Sequence, residues 1–255
     1  MCSKESLNTI SYYLQASSGA FGFIGALSII IAYLSYKDLR TYYFQAVFFT
    51  SIADGLKATV YFVPFSALKI SEVCYICAIT TNYMTIASAM WTLFISVVLY
   101  QALFKSVVEV EKYIKIWCIF VFCIMPLVFI LPLITDSYGL LTINCTFKEN
   151  FSGNLWRIGL FYLPGWVMIF VSLYTYFKIF KKLNFELIDR DTKSILKKVI
   201  LYPLVIIFFF IMLSTLRILE NRLSSSCELK YFSAICLSLY ASQGFWNAMI
   251  FFTTA

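Results

Sequence analysis

The sequence predicts an all-α fold: a polytopic membrane protein, a seven-transmembrane-helix bundle with its N-terminus outside. Three observations predict it. Of the 255 residues, 61% are apolar and 13% are charged, whereas a soluble domain is about 45–50% apolar and about 25% charged. The mean hydropathy is +0.83, and the apolar residues gather in seven runs of the length that spans a bilayer. The basic residues collect in alternate connections between those runs, as the positive-inside rule requires.

The same composition excludes several classes. Disorder, a secreted disulfide scaffold and a cytosolic enzyme all need more charge or shorter apolar runs. The net charge of +7 sits in short loops rather than on one soluble face, so no nucleic-acid partner is expected. Histidine is absent, which removes three-histidine zinc hydrolysis and any histidine general base. No enzyme, metal or cofactor is expected.

The first span is placed at about 14–35. Its apolar stretch runs to Tyr36, longer than the roughly 7–15 residues of a signal-peptide core, so it reads as a retained helix. The second, at about 44–66, carries Asp54 about ten residues in, roughly 15 Å deep at 1.5 Å per residue. Lys57 follows three residues later on the same face. The two either form a structural pair or belong to an intramembrane polar hub, with Asn247, that rearranges or binds a cation. The third span, about 75–104, starts beside Cys74 and Cys77 and holds Thr81, Asn82 and Tyr83. The fourth, about 114–134, contains Pro126 and Pro132, either of which can kink it.

A loop then carries Cys145 and two sequons, Asn144-Cys145-Thr146 and Asn150-Phe151-Ser152, which make Asn144 and Asn150 glycosylation candidates. The fifth span, about 156–179, opens on Arg157 and holds Pro164. The loop at about 180–196 is rich in both charges and reads as a helical extension that docks a cytosolic partner or faces lipid headgroups. The sixth span, about 196–218, ends on Arg217, with Glu220 one turn on. The seventh, about 232–254, contains no lysine, which excludes a retinal Schiff base.

Orientation follows from charge. With the N-terminus outside, the inner segments hold twelve Lys and Arg: Lys37, Arg40, Lys105, Lys112, Lys115, Lys178, Lys181, Lys182, Arg190, Lys193, Lys197 and Lys198. The outer segments hold six: Lys4, Lys69, Lys148, Arg157, Arg222 and Lys230. Of eight cysteines, Cys118, Cys123 and Cys236 fall within spans as packing residues, and Cys2, Cys74, Cys77, Cys145 and Cys227 fall at the outer side. An outer disulfide is therefore permitted. Cys74–Cys145 would tie the long loop to span three, and Cys77 is the alternative partner. Arg157, Arg217 and an upward-reaching Lys57 would form a cationic outer vestibule suited to an anionic ligand. Asn82, Tyr83 and Thr81 would line the same cavity.

Four stretches carry a resemblance. They are Cys74-Tyr75 through Ser88-Ala89-Met90-Trp91-Thr92-Leu93 to Leu99-Tyr100; Trp156-Arg157-Ile158-Gly159-Leu160-Phe161-Tyr162-Leu163-Pro164; Tyr202-Pro203 followed by Leu216-Arg217-Ile218; and Ser242-Gln243-Gly244-Phe245-Trp246-Asn247-Ala248. In order and spacing they resemble the third, fifth, sixth and seventh helices of the cyclic-AMP-receptor-like family of G-protein-coupled receptors, known from social amoebae and other protists. The resemblance covers nearly the whole chain. It implies one seven-span receptor domain over 1–255 in the plasma membrane, and the Cys74–Cys145 disulfide. It implies a heterotrimeric G protein, an extracellular small-molecule ligand and membrane lipid as partners. Lys105, Lys181, Lys182 and Lys197 would then meet the G protein. Arg157 and Arg217 match arginines of the family, and no ligand assignment is carried over from it.

The chain departs from other receptor classes at two points. Leu99-Tyr100-Gln101 stands where an acidic-Arg-Tyr triplet would close span three, and Asn247 is not followed by proline. The sequence stops at Ala255, close to the seventh span, which puts tail-dependent regulation in doubt. Two other readings remain: a non-signalling structural membrane subunit, and a seven-span small-molecule transporter. The latter would show two similar three-helix halves, and no such repeat is visible.

Overall fold

The computed structural model describes residues 4–104, 110–141, 143–185, 201–222 and 227–254. Their helices stand in seven columns, α1 to α7. α1 is Lys4–Ser35, α2 is Tyr42–Thr59 and α3 is Ser71–Phe104. α4 runs Val110–Ile119, Phe120–Ile124, Met125–Ile130 and Leu131–Leu133. α5 runs Phe151–Trp156, Arg157–Tyr162 and Leu163–Phe185. α6 is Leu201–Arg222. α7 is Cys227–Ala241 followed by Gln243–Thr254.

Among the described residues, five helical stretches are long and apolar enough to cross a membrane, and the two halves of α7, bent by 44°, make a sixth. α2 falls short of that standard. It is eighteen residues long, and Asp54 and Lys57 lower its hydropathy. It nevertheless packs between α1 and α3 as a full member of the bundle.

The boundaries differ from the sequence expectation in ways the local chemistry explains. α1 starts about ten residues earlier than expected, at Lys4, because nothing in its first turns breaks a helix. Arg40 Nη2 donates to Leu34 O at 2.9 Å, placing positive charge on the carbonyls that end α1. α2 is capped by Thr41, whose hydroxyl accepts from Phe44 N. It ends earlier than expected, narrowing to a 3-10 turn at Val60–Phe62 before Pro64, which disfavours helix in the residue ahead of it.

α4 and α5 each contain a π-helical stretch, Phe120–Ile124 and Arg157–Tyr162. Each stretch stops just short of a proline, Pro126 in one and Pro164 in the other. A proline has no N–H for the carbonyl four residues back, so the preceding turn widens to find another donor.

One element was not expected from an all-α reading. Residues β1, Tyr138–Leu141, and β2, Asn144–Phe147, form an antiparallel hairpin with Tyr138 opposite Phe147 and Leu140 opposite Cys145. It is anchored three times. Cys145 is disulfide-bonded to Cys74 at the start of α3, with Cα atoms 5.3 Å apart. Tyr138 is fully buried and its hydroxyl donates to Phe129 O at 2.9 Å; that burial holds its phenol well above the ordinary range. Asp136, at φ 45°, accepts from Lys148 Nζ at 2.5 Å and from Tyr75 Oη at 2.9 Å. These two bonds, Lys148 first, hold its carboxyl below the ordinary value. We refer to this side of the bundle as the hairpin end.

The core centres on α3. Trp91 is fully buried and stacks on Phe49 of α2, with Phe94 and Phe122 at its other sides. Where α1 meets the bend of α7, small residues let the backbones touch: a Cβ on Gly25 would stand 2.6 Å from Phe245 Cα.

Candidate functional site

A cavity of about 570 Å³ opens at the hairpin end. α1, α3, α5, α6 and α7 contribute to its wall, and so do the turn that follows α2 and the hairpin. The wall is chemically two-sided. α1, the turn after α2, and α3 supply neutral polar groups, among them Ser11, Gln15, Tyr61, Thr81 and Asn82. The far side supplies charge: Arg157 from α5, Arg217 and Glu220 from α6, Lys230 from α7, and Glu149 just after the hairpin. Leucines from α1, α6, α7 and the hairpin, with Leu68 just ahead of α3, fill the space between.

The two arginines have different work. Arg157 is buried at the root of α5 and turned toward the hairpin exit. Its Nη2 donates to Phe147 O and, at 3.3 Å, to Lys148 O, and its Nη1 donates to Asn154 Oδ1 at 2.9 Å. It therefore meets neutral acceptors and ties the hairpin to α5. Arg217 is held by two carboxylates instead: Nη1 lies 2.7 Å from Glu220 Oε2 and 3.1 Å from Glu149 Oε1.

A second polar cluster lies deeper, between α2, α3 and α7. Asp54 Oδ2 accepts from Asn247 Nδ2 at 2.6 Å. Lys57 Nζ stands 3.8 Å from Asp54 Oδ1, yet its hydrogen bond goes to Gln243 Oε1, at 2.6 Å. Gln243 Nε2 donates onward to Ser88 Oγ at 3.2 Å. The ammonium also lies 4.2 Å from the centre of the Tyr240 ring, a cation–π contact in a dry site. Tyr240 Oη is hydrogen-bonded to Thr85 Oγ1, and Tyr240 itself reaches the cavity wall. One ring thus separates the cavity from the buried cluster and touches both.

The structure brings Asp54, Lys57 and Asn247 together as a hub. It puts Asn82, Arg157 and Arg217 on the cavity wall, but neither Lys57 nor Tyr83. Lys57 is drawn sideways, because Gln243 and Tyr240 meet its charge at shorter range than the cavity mouth would. Tyr83 faces α4, with its hydroxyl donating to Val121 O at 2.9 Å. The vestibule expected from three cations is therefore built from two arginines and Lys230, two carboxylates and a neutral polar side. Asn144 lies in β2 on the cavity wall beside the bonded Cys145, whereas Asn150 is exposed and caps the next helical turn through Gly153 N at 2.7 Å. Lys181 is exposed at the end of α5 away from the hairpin. Lys105 and Lys197 lie outside the described residues, as does the Lys182 side chain.

Sequence reasoning passed over Gln243, Tyr240, Ser88 and Glu149. A glutamine one turn from Asn247 inside an apolar run is a visible signal for Gln243. Glu149 gives none, since its partner is 68 residues away.

Residues 3–254 match the family model described as Slime mold cyclic AMP receptor. The chain is 28% identical over 254 residues to cyclic AMP receptor-like protein A of Dictyostelium discoideum, covering 97% of this chain and 64% of that one. It is 23% identical over 171 residues to G-protein coupled receptor 1 of Arabidopsis thaliana, covering 67% of this chain and 52% of that one. The chain thus spans less than two thirds of the length of these relatives. Among solved structures, squid rhodopsin superposes with a TM-score of 0.73 at 17% identity, covering 96% of this chain and 81% of that one. The fold is that of a seven-helix receptor, and the chain is an integral membrane protein.

Proposed function

Because the chain belongs to the slime mold cyclic AMP receptor family, we propose that it is a G-protein-coupled receptor of the plasma membrane, with its hairpin end outside. The outer cavity takes an anionic small molecule. Ligand binding favours a state whose opposite end, including Lys181 and the basic segments that follow α3 and α5, binds a heterotrimeric G protein. The two equilibria are linked reciprocally, so G protein would tighten ligand.

The observation that carries this reading is the charged side of the cavity. Arg217 presents a planar donor fork, which suits carboxylate and phosphate, and Lys230 and Arg157 add positive charge beside it. Tyr240 supplies a physical route inward: its ring borders the cavity and covers Lys57, which holds Gln243 of α7. A ligand that shifts Tyr240 would change the packing around that ammonium and, through Gln243 and Asn247, the lower half of α7.

The test is guanine-nucleotide exchange on heterotrimeric G proteins by the protein reconstituted in lipid, against anionic ligands including cyclic AMP. Ligand-dependent acceleration that is lost in Arg217→Gln and blunted in Tyr240→Leu supports the receptor. A second reading, a non-signalling membrane subunit, draws on one observation: Arg217 already has carboxylate partners of its own. Absence of both basal and ligand-stimulated exchange would favour it.

A further inference from the structure

Arg217 carries one positive charge and is met by two negative ones. Both carboxylates meet it at Nη1, so a free anion entering the cavity would face a donor fork with one nitrogen already taken. The two occupants are not equivalent. Glu220 is one turn along the same helix, at the shorter distance, and 30% exposed. Glu149 comes from a different element, at the longer distance, and is 59% exposed. Water can take back Glu149 at little cost, because an exposed carboxylate is already mostly hydrated.

The position of Glu149 adds to this. It follows Phe147 and Lys148, whose carbonyls Arg157 holds, and the hairpin before it is tied to α3 through Cys145. The Glu149–Arg217 contact therefore links a segment fixed to α3 and α5 with the cavity end of α6. Breaking it removes a tie between α6 and the rest of the outer surface.

We infer that Glu149 is an internal counter-ion occupying the ligand's anion subsite, and that the ligand is a monoanion, a phosphodiester or a carboxylate, which replaces it on Arg217. This rests on the reading of the outer cavity as the ligand site and specifies how that site works. The single charge follows from the local balance. Arg157, Arg217, Lys230, Glu149 and Glu220 on the cavity wall sum to one positive charge, and exchanging the Glu149 carboxylate for one external negative charge leaves the charge that meets Arg217 unchanged. Arg157 stays on its carbonyl acceptors throughout. α6 is released from the hairpin segment only while an anion takes Glu149's place.

The experiment uses simple anions on the whole chain in lipid nanodiscs. Dimethyl phosphate is the phosphodiester probe and acetate the carboxylate probe, each against sodium chloride at equal ionic strength; neutral trimethyl phosphate is the control. The readout is amide hydrogen exchange over residues 144–149. One or both anions should raise exchange there, saturably, and trimethyl phosphate should not; which anion acts identifies the headgroup. The effect should vanish in Arg217→Gln. In Glu149→Gln the basal exchange should be raised, and Arg217 should be protected from an arginine-modifying dione at about 1.5- to 5-fold lower anion concentration, the factor for losing an exposed ion pair. Exchange that ignores both anions, or that changes equally in Arg217→Gln, overturns the inference. G-protein exchange does not enter this assay, so failure of the receptor reading would be seen separately.

Discussion

Replacing Lys57 by methionine should destabilise the protein far more than replacing Asp54 by asparagine, although both break the same ion pair. The pair is fully buried, with side chains at most 1% exposed. Removing one partner of a buried pair costs about 3–5 kcal/mol, because the other charge is left uncompensated. The structure makes that cost one-sided. In Lys57→Met, Asp54 keeps the 2.6 Å bond from Asn247 and the neighbouring Ser88 hydroxyl but no positive charge, and Gln243 Oε1 loses its donor as well. The full cost is expected there, a fall in melting temperature of roughly 6–20 °C. In Asp54→Asn the new side chain still accepts from Asn247. Lys57 keeps Gln243 Oε1 at 2.6 Å and the Tyr240 face at 4.2 Å, so the cost should stay near about 1–3 kcal/mol. The double variant removes both charges and should recover most of the loss. The assay is thermal unfolding of ligand-free protein in nanodiscs at neutral pH. The reasoning fails if Lys57→Met melts no lower than Asp54→Asn, or if the double variant is less stable than Lys57→Met.

Four further outcomes are expected. The Cys74–Cys145 bond closes a separation of 71 residues, so Cys145→Ser should cost about 2–4 kcal/mol and raise hydrogen exchange in the hairpin, whereas Cys77→Ser should leave the disulfide intact by non-reducing mass analysis. Asp136 has a depressed folded-state pKa, so its contribution is complete above the ordinary carboxylate value of about 4 and is lost as pH falls through the lower folded value; the protection of the hairpin amides, after correction for the intrinsic pH dependence of exchange, should be flat from pH 7 to about 4, fall below that, and lose its acid limb in Asp136→Asn. Gly25→Ala would place a methyl group 2.6 Å from Phe245 Cα and 2.7 Å from Gly244 O, and should cost about 1–3 kcal/mol by overpacking, read as a lower melting temperature. The glycan should sit on Asn150, whose capping bond uses Oδ1 and leaves Nδ2 for the sugar; a gel-mobility shift lost in Asn150→Gln and kept in Asn144→Gln would confirm it.

The helical columns are legible in the sequence because bilayer-length apolar runs leave few alternatives. Asp54 and Lys57 are legible as a pair for a related reason: charge inside such a run demands a nearby partner, and three residues along a helix supplies one. What is not legible is direction. α3 is the central helix and is buried on several sides, so its pattern does not say which neighbour a given residue meets. Asn82 faces the cavity and Tyr83, the next residue, turns to Val121 of α4. Lys57 would be expected to reach for the nearer aqueous end, but Gln243 and Tyr240, 186 and 183 residues away in the chain, hold it in place. The hairpin is hidden because Leu141-Thr142-Ile143-Asn144 offers none of the Asn-Gly or Asp-Gly pairs that mark a tight turn. Its strands are short, and it is held to the bundle by the disulfide and by the bond from Tyr138 to the Phe129 carbonyl.

The π-helical stretch in α5 also sets the angular phase of that helix. Arg157, at one end of it, is aimed at the hairpin carbonyls, and Phe161, near the other, stacks on Phe210 of α6. Between them Gly159 faces open space. Removing Gly159 would let the stretch relax toward an ordinary α-helix, and each residue taken out turns one end against the other by about 100°. With Phe161 fixed by its stack, the arginine would rotate off the hairpin altogether. α5 therefore behaves as two dials on one shaft, the upper one set to the hairpin and the lower one to α6, with a single residue holding the offset between them.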